Sequence, residues 1–230
     1  MEIIRSFKTI KRVDRQFQLD YICCIVKQDG TYYNGRWHDV NKPPQALFEL
    51  SHIQKMNETL RDDPRYNEVK VYEYFQEYPH PNLGIYFGCH EQGGFITSTC
   101  CGRYGLTLAQ RVNPKNLSKE EFRASDRKYV DDLMKDGLKG VLAGIRHLHR
   151  NGMMHNNINP STIQLTWHET PVIVGFGCTR SVGASLRNFK RAPHWHDPKV
   201  QVSMQDNDLE AYEELKTWMI GSVEDRFRFE

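Results

Sequence analysis

Residues 145–178 constrain the fold of this chain more than any other stretch. They contain, in order, the end of a helical pattern, an Asn-Gly turn, a polar loop with one proline, a short strand, a second turn and an apolar strand. The stretch closes with Gly175-Phe176-Gly177. A helix that leads through a loop into short strands is typical of mixed domains, so the predicted fold class is α+β.

The helix before this loop has the clearest periodicity in the chain. Its apolar residues recur at spacings of three and four, which places them on one face. They are Val130, Leu133, Met134, Leu138, Val141, Leu142, Ile145 and Leu148. Asn151-Gly152 predicts the end of this helix, because both residues readily adopt the left-handed backbone that follows a helix. Upstream, Ser118 and Glu121 have the spacing of a capping box and predict a short helix.

A second amphipathic helix is predicted over residues 208–220, near the end of the sequence. Its apolar face consists of Leu209, Tyr212, Leu215, Trp218 and Met219. The preceding strand is predicted at residues 171–176, where an apolar run enters the Gly-Phe-Gly turn. These elements make the second half of the chain mainly helical.

Strand patterns dominate the first half of the chain. Residues 21–26 predict a buried strand, and Asp29-Gly30 predicts a hairpin turn after it. Asn34-Gly35 predicts a second tight turn within residues 31–37. Residues 46–53 fit either a strand or the start of a helix, because a short apolar run does not distinguish the two.

One helix is expected among these strands. It follows a polar break at residues 61–65, covers residues 66–78, and ends at Pro79, which cannot continue a helix. Its apolar face consists of Val69, Tyr72 and Phe75. Residues 94–101 predict a further strand.

Composition excludes few functions. Lys and Arg number 31 against 29 Asp and Glu, a formal charge of +2, which gives no reason to expect nucleic acid as a partner. No apolar run is long enough to span a bilayer, and the N-terminus has no apolar signal core, so no membrane partner is expected. A cytoplasmic or nuclear location is expected, with secretion left open if a signal peptide has been removed. The six cysteines form no C-x-x-C pair and are expected to be reduced thiols.

The loop motifs resemble the catalytic core of protein kinases. His155-Asn156-Asn157 stands where H-R-D would be, and Gly175-Phe176-Gly177 stands where D-F-G would be. The combination is similar to that of short fungal protein kinase-like proteins, whose loop reads H-N-D-x-N-P-x-N and whose metal motif reads D-F-D. The matching pieces are residues 67–71, 80–82, 107–111, 144–149, 152–161, 171–176 and 207–208, which cover roughly residues 65–220.

This resemblance implies a two-lobed architecture. Residues 1–102 would form a small antiparallel β lobe with the C-helix, and residues 103–230 a truncated, mainly helical lobe that ends after the F-helix. Within the likeness, Asp208 would hold the catalytic loop backbone and Glu68 would match the C-helix glutamate. Tyr72, His155 and Phe176 would belong to the packed core, and residues 178–195 would be the activation segment.

The chain departs from the kinase pattern where the chemistry lies. Asn157 replaces the base, while Thr162 and Gly175 replace the two metal ligands, so no metal site is expected and ATP with Mg²⁺ is not expected to bind. The strand-three lysine has Leu50 as its candidate position, since Lys27 lies too early in the chain. No Gly-rich phosphate loop is present. The predicted function is a pseudokinase that binds a protein partner as scaffold, allosteric regulator or decoy.

Two alternatives stay open. An atypical phosphotransferase could borrow a carboxylate from Glu68 or Glu169, and a metal-free nucleotide site could serve as a conformational switch. Neither His147 with His149 nor His194 with His196 predicts zinc, because helix residues two apart face different ways. Arg187, Lys190 and Arg191 form a basic cluster that predicts a solvated face.

Overall fold

The computed structural model describes residues 1–56 and 64–229, and the chain divides into two compact units. The first unit contains Met1–Gln76 and Ile85–Gly102, and the second contains Glu77–Gly84 and Arg103–Glu230. Helices and strands occur in both, which confirms the α+β class, whereas the two-lobed kinase arrangement stays a prediction. Most of the predicted polar break at residues 61–65 lies outside the described residues. No helix among the described residues is long and apolar enough to cross a membrane.

A six-stranded sheet forms most of the described first unit. Its strands are β1 (Glu2–Val13), β2 (Gln16–Gln28), β3 (Thr31–Trp37), β4 (Ser51–Lys55), β5 (Tyr86–Gln92) and β6 (Phe95–Cys101). They lie in the order β4-β3-β2-β1-β5-β6. Neighbouring strands are antiparallel except for β1 and β5, which pair in parallel at Thr9 and Cys89.

Helix α1 (Pro64–Glu77) has the predicted apolar face. Val69, Tyr72 and Phe75 are all buried, and the Tyr72 ring stacks on Tyr86 of β5 with 5.2 Å between ring centroids. The helix ends just before Pro79, as expected for a residue without a backbone donor. The predicted helix is therefore confirmed.

The predicted turn at Asn34-Gly35 is wrong. Both residues lie inside β3, where Asn34 pairs with Ile25 and Gly35 pairs with Cys24 of β2. Packing explains the glycine, because a Cβ at Gly35 would lie 2.9 Å from the Cβ of buried Leu50. Strand pairing on both sides of β3 and the need for a small residue override the local turn preference of Asn-Gly.

Two other segments of the first unit differ from what their sequence patterns suggest. Residues 1–20 are mixed and only weakly periodic, yet β1 and the start of β2 lie there. Register shifts between Ile3 and Arg5 and between Lys8 and Ile10 break the alternation that would have revealed β1. Residues 46–53 are neither one strand nor a long helix, because a short 3₁₀ helix at Leu47–Glu49 precedes β4.

The remaining described elements are four α-helices, four short strands and a 3₁₀ helix at Phe176–Cys178. The α-helices are α2 (Leu108–Val112), α3 (Lys119–Ala124), α4 (Asp132–Arg150) and α5 (Gln205–Ile220), and the strands are β7 (Met153–Met154), β8 (Ile163–Leu165), β9 (Pro171–Ile173) and β10 (Arg180–Ser181). Strand β7 pairs with β10, and β8 pairs with β9. The predicted capping box is confirmed, since Ser118 and Glu121 exchange both hydrogen bonds at the start of α3.

Helix α4 forms the centre of the second unit's core. Its buried side chains include Met134, Leu138, Val141, Ile145 and Leu148. The predicted apolar face is wrong at Leu133, which is 51% exposed because it lies beside Met134 in the first turn, about 100° around the axis. Val130 precedes the helix, which Asp131 caps by accepting the Met134 N–H.

Residues 77–84 are tied to β9 and α4. The Asn82 side-chain amide donates to the Pro171 carbonyl at 2.7 Å, and the backbone carbonyl of Asn82 accepts the Ile173 N–H at 2.8 Å. A Cβ at Gly140 of α4 would lie 2.7 Å from the Asn82 amide nitrogen, so a glycine is needed there. The strand predicted for residues 171–176 ends earlier, at Ile173, because Gly175 adopts a left-handed backbone with φ of 77°.

Candidate functional site

Asp208 is the centre of the loop between β7 and β8. It lies fully buried in the first turn of α5, where the helix dipole stabilises a negative charge. Its Oδ2 accepts the backbone N–H of His155 at 2.8 Å and the Nε2–H of His149 at 2.9 Å, and its Oδ1 accepts the Asn156 N–H at 2.6 Å. A buried carboxylate with three donors fixes the start of the loop.

His155 is fully buried and is held as a neutral ring. Its Nε2 lies 3.1 Å from the Val174 carbonyl and must donate, while Nδ1 accepts the Asn157 N–H at 3.2 Å. Burial lowers the pKa of His155, although the Asp208 carboxylate and the Val174 carbonyl act in the opposite direction. The ring meets the buried Phe176 edge to face, with 5.5 Å between centroids. Its contacts therefore support packing and loop geometry.

Asn156 is a site residue to which the sequence motif assigned no role of its own. It is 1% exposed and has a left-handed backbone with φ of 60°. Its amide nitrogen donates to three groups, and its Oδ1 accepts from the Asn207 side chain at 2.9 Å. The three acceptors are the carbonyls of Met154 at 2.8 Å and Cys178 at 3.2 Å and the hydroxyl of Ser203 at 3.0 Å. Its position between His155 and Asn157 in the motif was its sequence-level signal, and tertiary contacts decide its role.

Asn157 and Thr162 face each other across the loop. The Thr162 hydroxyl donates to the Asn157 carbonyl at 2.9 Å and accepts the Asn159 N–H at 3.1 Å. The side-chain oxygen of Asn157 accepts the backbone N–H of Ala192 at 2.7 Å. Both predicted chemistry positions are thus bonded to the protein's own backbone.

Gly175 lies next to Thr162. A Cβ built on Gly175 would be 3.7 Å from the Thr162 methyl group, an ordinary contact distance. The structure therefore brings Asn157, Thr162 and Gly175 together, and none of the three carries a carboxylate. Among the described residues, no group of three or more His, Cys, Asp or Glu is placed to hold a metal ion.

The other predicted residues, Leu50, Glu68 and Tyr72, lie in the first unit. Leu50 is buried against Cys24 and Val26 and directly precedes β4, so it is a core residue of the sheet. Glu68 is partly buried on α1. Strand β4 ends in an exposed lysine, Lys55, which the sequence patterns did not single out.

Glu169 is bound by an arginine of the same unit. Arg111 binds it through two nitrogens, with Nε at 2.5 Å and Nη2 at 3.2 Å, while Nη2 also contacts Asp131 at 2.7 Å. The Glu169 carboxylate therefore shares one guanidinium with Asp131 within the second unit.

The structure also gives internal partners to the paired histidines of α4 and to Arg191. His147 contacts the Tyr78 carbonyl at 3.0 Å, while His149 contacts Asp208, so the two rings serve separate partners. Arg191 does not belong to a solvated face, because its Nη2 donates to the Val200 carbonyl at 2.6 Å. Burial lowers the pKa of Arg191.

No family profile matches the chain, but it is similar to serine/threonine-protein kinases. Identity is 25% over 180 residues with serine/threonine-protein kinase TAO3 of Xenopus laevis and 25% over 196 residues with TAO2 of Homo sapiens. The similarity supports a protein kinase-like fold. The matched parts cover 76% and 84% of this chain but only 18% and 14% of the relatives, so the kinase-like chain spans less than a fifth of their length.

Proposed function

We propose that this chain is a kinase-like domain that acts by binding proteins and does not transfer phosphate. The observation that carries the proposal is the loss of kinase chemistry at three neighbouring positions of one loop system. Asn157 and Gly175 stand where the kinase pattern has aspartates, and Thr162 stands where it has a metal-binding asparagine. The framework around them is intact, since Asp208, His155 and Phe176 are all fully buried and in contact. A fold that keeps its packing and loses its reactive groups is suited to recognition.

The chemistry of these residues does not fit a magnesium–nucleotide site. Mg²⁺ in phosphoryl-transfer sites is held by carboxylates, phosphates and water. Gly175 has no side chain, and the Thr162 hydroxyl is already bonded to the loop backbone. Asn157 cannot take up a proton near neutral pH, and loss of a general base costs a factor of about 10²–10⁴ in rate.

The test is ATP turnover by the purified chain with Mg²⁺ or Mn²⁺. We expect none above the rate without protein. The matched variant is Asn157→Asp/Thr162→Asn/Gly175→Asp, which introduces the three polar groups of the kinase pattern. Asp tolerates a left-handed backbone better than most residues, so the change at Gly175 is compatible with folding.

Turnover by the wild-type chain contradicts the proposal if it persists through repeated purification and is lost in Lys55→Met. A contaminating kinase would be unaffected by that substitution. Activity only in the restored variant would support the proposal, because it would show that the missing groups are what limits the wild type.

The second candidate is an atypical phosphotransferase, favoured by the kinase relatives and by Lys55 at the end of β4, in the same unit as Glu68 of α1. Of the two carboxylates in this candidate, Glu169 is the weaker choice, because Arg111 already binds it. A thermal-shift assay separates the alternatives. A rise in melting temperature with ATP that requires metal favours the enzyme, a rise without metal favours a nucleotide-dependent switch, and no rise favours the binding domain.

The finer assignments belong to the same proposal. They are the likeness to short fungal kinase-like proteins, a cytoplasmic or nuclear location, the absence of a nucleic-acid partner, and lobes at residues 1–102 and 103–230. Whether the chain acts as a scaffold, an allosteric regulator or a decoy depends on which protein it binds.

A further inference from the structure

Residues 178–203 concentrate the positive charge of this chain. They contain five Lys or Arg and one Asp, a formal charge of +4, whereas the whole chain carries +2. The rest of the molecule is therefore slightly acidic at −2. Such an asymmetry within one short segment favours a partner of opposite charge.

Three of the cations are exposed and unpaired. Arg187, Lys190 and Lys199 form no ion pair with any of the residues in 1–56 and 64–229. The single acid, Asp197, bonds the Lys199 backbone N–H at 2.8 Å and leaves the lysine ammonium free. Outside the segment, Asp206 is the exposed acid that follows it at the start of α5.

The segment has a fixed backbone. Its start pairs with β7, and residues 183–186 pair with residues 201–203 through the Gly183, Ser203 and Leu186 N–H groups, each with an N···O distance of 2.8 Å. Asn156 joins its two ends, because one amide nitrogen bonds both the Cys178 carbonyl and the Ser203 hydroxyl. A surface held in this way loses little entropy when it binds.

Exposed aliphatic side chains accompany the cations. Val182 is 56% exposed, and Val202 and Met204 are each 44% exposed. Nucleic-acid surfaces use exposed aromatic rings for stacking. Here the Phe and Trp rings of the segment, Phe189 and Trp195, are both partly buried. The Arg180 guanidinium covers Phe189 at 3.9 Å, and Trp195 packs edge to face on Trp218 with 5.7 Å between ring centroids, so the most exposed apolar side chains are aliphatic.

We propose that residues 178–204, named here the basic platform, dock an extended acidic segment of a partner protein that also carries aliphatic side chains. The three free cations bind its carboxylates, and Val182, Val202 and Met204 contact its aliphatic groups. The proposal rests on the proposed function and names the kind of partner that this kinase-like domain recognises.

The experiment selects displayed random peptides, about twelve residues long, on the purified full chain. We expect the bound peptides to be enriched in Asp and Glu together with Val, Ile or Leu, and to bind more weakly as salt is added. The triple variant Arg187→Glu/Lys190→Glu/Lys199→Glu should lower the affinity for a selected peptide about tenfold or more, since three attractive ion pairs become repulsive. The matched control, Arg12→Glu/Arg15→Glu/Lys42→Glu, changes the charge equally at exposed residues of the first unit and should keep the affinity.

A second variant tests the fixed backbone. Ser203→Ala removes one acceptor of the Asn156 amide. It should increase hydrogen exchange in residues 180–203 and lower the affinity for the selected peptide. Circular dichroism of each variant checks that the fold is retained.

Several outcomes would overturn the docking proposal. They are the absence of acidic enrichment, equal binding by the Arg187/Lys190/Lys199 variant, and displacement of the peptide by a single-stranded DNA oligonucleotide or phosphatidylserine vesicles that bind more tightly. Phosphorylation of the selected peptides by the wild-type chain would instead overturn the proposed function and leave the docking surface in place, so the two failures are distinguishable.

Discussion

Two sets of residues on the same loop system differ sharply in how they are held. The framework set, His155, Asn156 and Asp208, is at most 1% exposed and is joined by charge-assisted hydrogen bonds. The chemistry set, Asn157, Thr162 and Gly175, is only partly buried. Its side chains bond backbone groups or are absent. From this difference we expect the stability of the loop to depend more on the framework set than on the chemistry set.

The strongest test of this comparison removes the framework carboxylate. Asp208→Ala leaves two backbone donors and His149 without their acceptor in a buried site, and should lower the free energy of unfolding by about 3–5 kcal/mol. Urea denaturation followed by circular dichroism measures it. Asp206→Ala, in the same helical turn but exposed, is the matched control and should change stability by less than about 0.5 kcal/mol. Equal losses of stability in the Asp208 and Asp206 variants would contradict the role given to Asp208 in the framework set.

Phe176→Ala should cost about 3 kcal/mol, because it empties a fully buried site beside His155. Phe48→Ala, at a side chain that is 83% exposed, provides the comparison and should be close to neutral. A small effect at Phe176 would mean that the neighbouring side chains collapse into the space, and the framework would then extend no further than the polar contacts.

Asn156→Ala should destabilise the chain by about 2 kcal/mol, since it leaves buried acceptors and the Asn207 amide without a partner. Asn157→Ala removes one bond, to the Ala192 N–H, at a partly buried position and should cost about 1 kcal/mol or less. The adjacent pair is a direct comparison of the two sets. A larger loss at Asn157, measured by the same urea titration, would contradict it.

The folded chain should be less stable in acid than at neutral pH, because the folded state disfavours protonation of His155. Burial lowers the pKa of His155 in the folded chain, while in the unfolded chain it titrates near 6.5. The unfolded state therefore binds the proton more readily, and the stability is present above about pH 6.5 and is lost as pH falls towards the lower folded pKa. Urea midpoints measured at a series of pH values should show a flatter acid slope for His155→Gln than for wild type. An unchanged slope would assign the acid sensitivity to other groups, such as His196, whose pKa is also lowered by burial.

The smallest expected effect lies in the chemistry set. Gly175→Ala has room for its methyl group but must adopt φ near 77°, and should cost about 1 kcal/mol. Gly177→Ala is the control, because a Cβ there meets no atom within 4 Å and no positive φ is required. Thermal melts of the two variants would contradict the strain argument if Gly177→Ala were the less stable.

Local periodicity predicted the helices well and the strands poorly. The apolar faces of α1 and α4 follow from residue spacing, because a helix is closed by its own hydrogen bonds. Strand β1 escaped prediction because its register shifts break the alternation, and Asn34-Gly35 was misread because pairing with β2 and the closeness of Leu50 decide the backbone there. Strands depend on neighbours that are distant in sequence, and one sequence does not reveal them.

The sequence by itself determined the residue types at Asn157, Thr162 and Gly175, and with them the absence of carboxylates, since chemical identity does not depend on folding. It also determined the surplus of cations in residues 178–203. Only the tertiary structure decided that Asn156 joins Cys178 to Ser203, and that Arg191 and Glu169 are bonded internally. These roles depend on groups that lie 9 to 58 residues apart in sequence, where the folded backbone fixes which hydrogen bonds form.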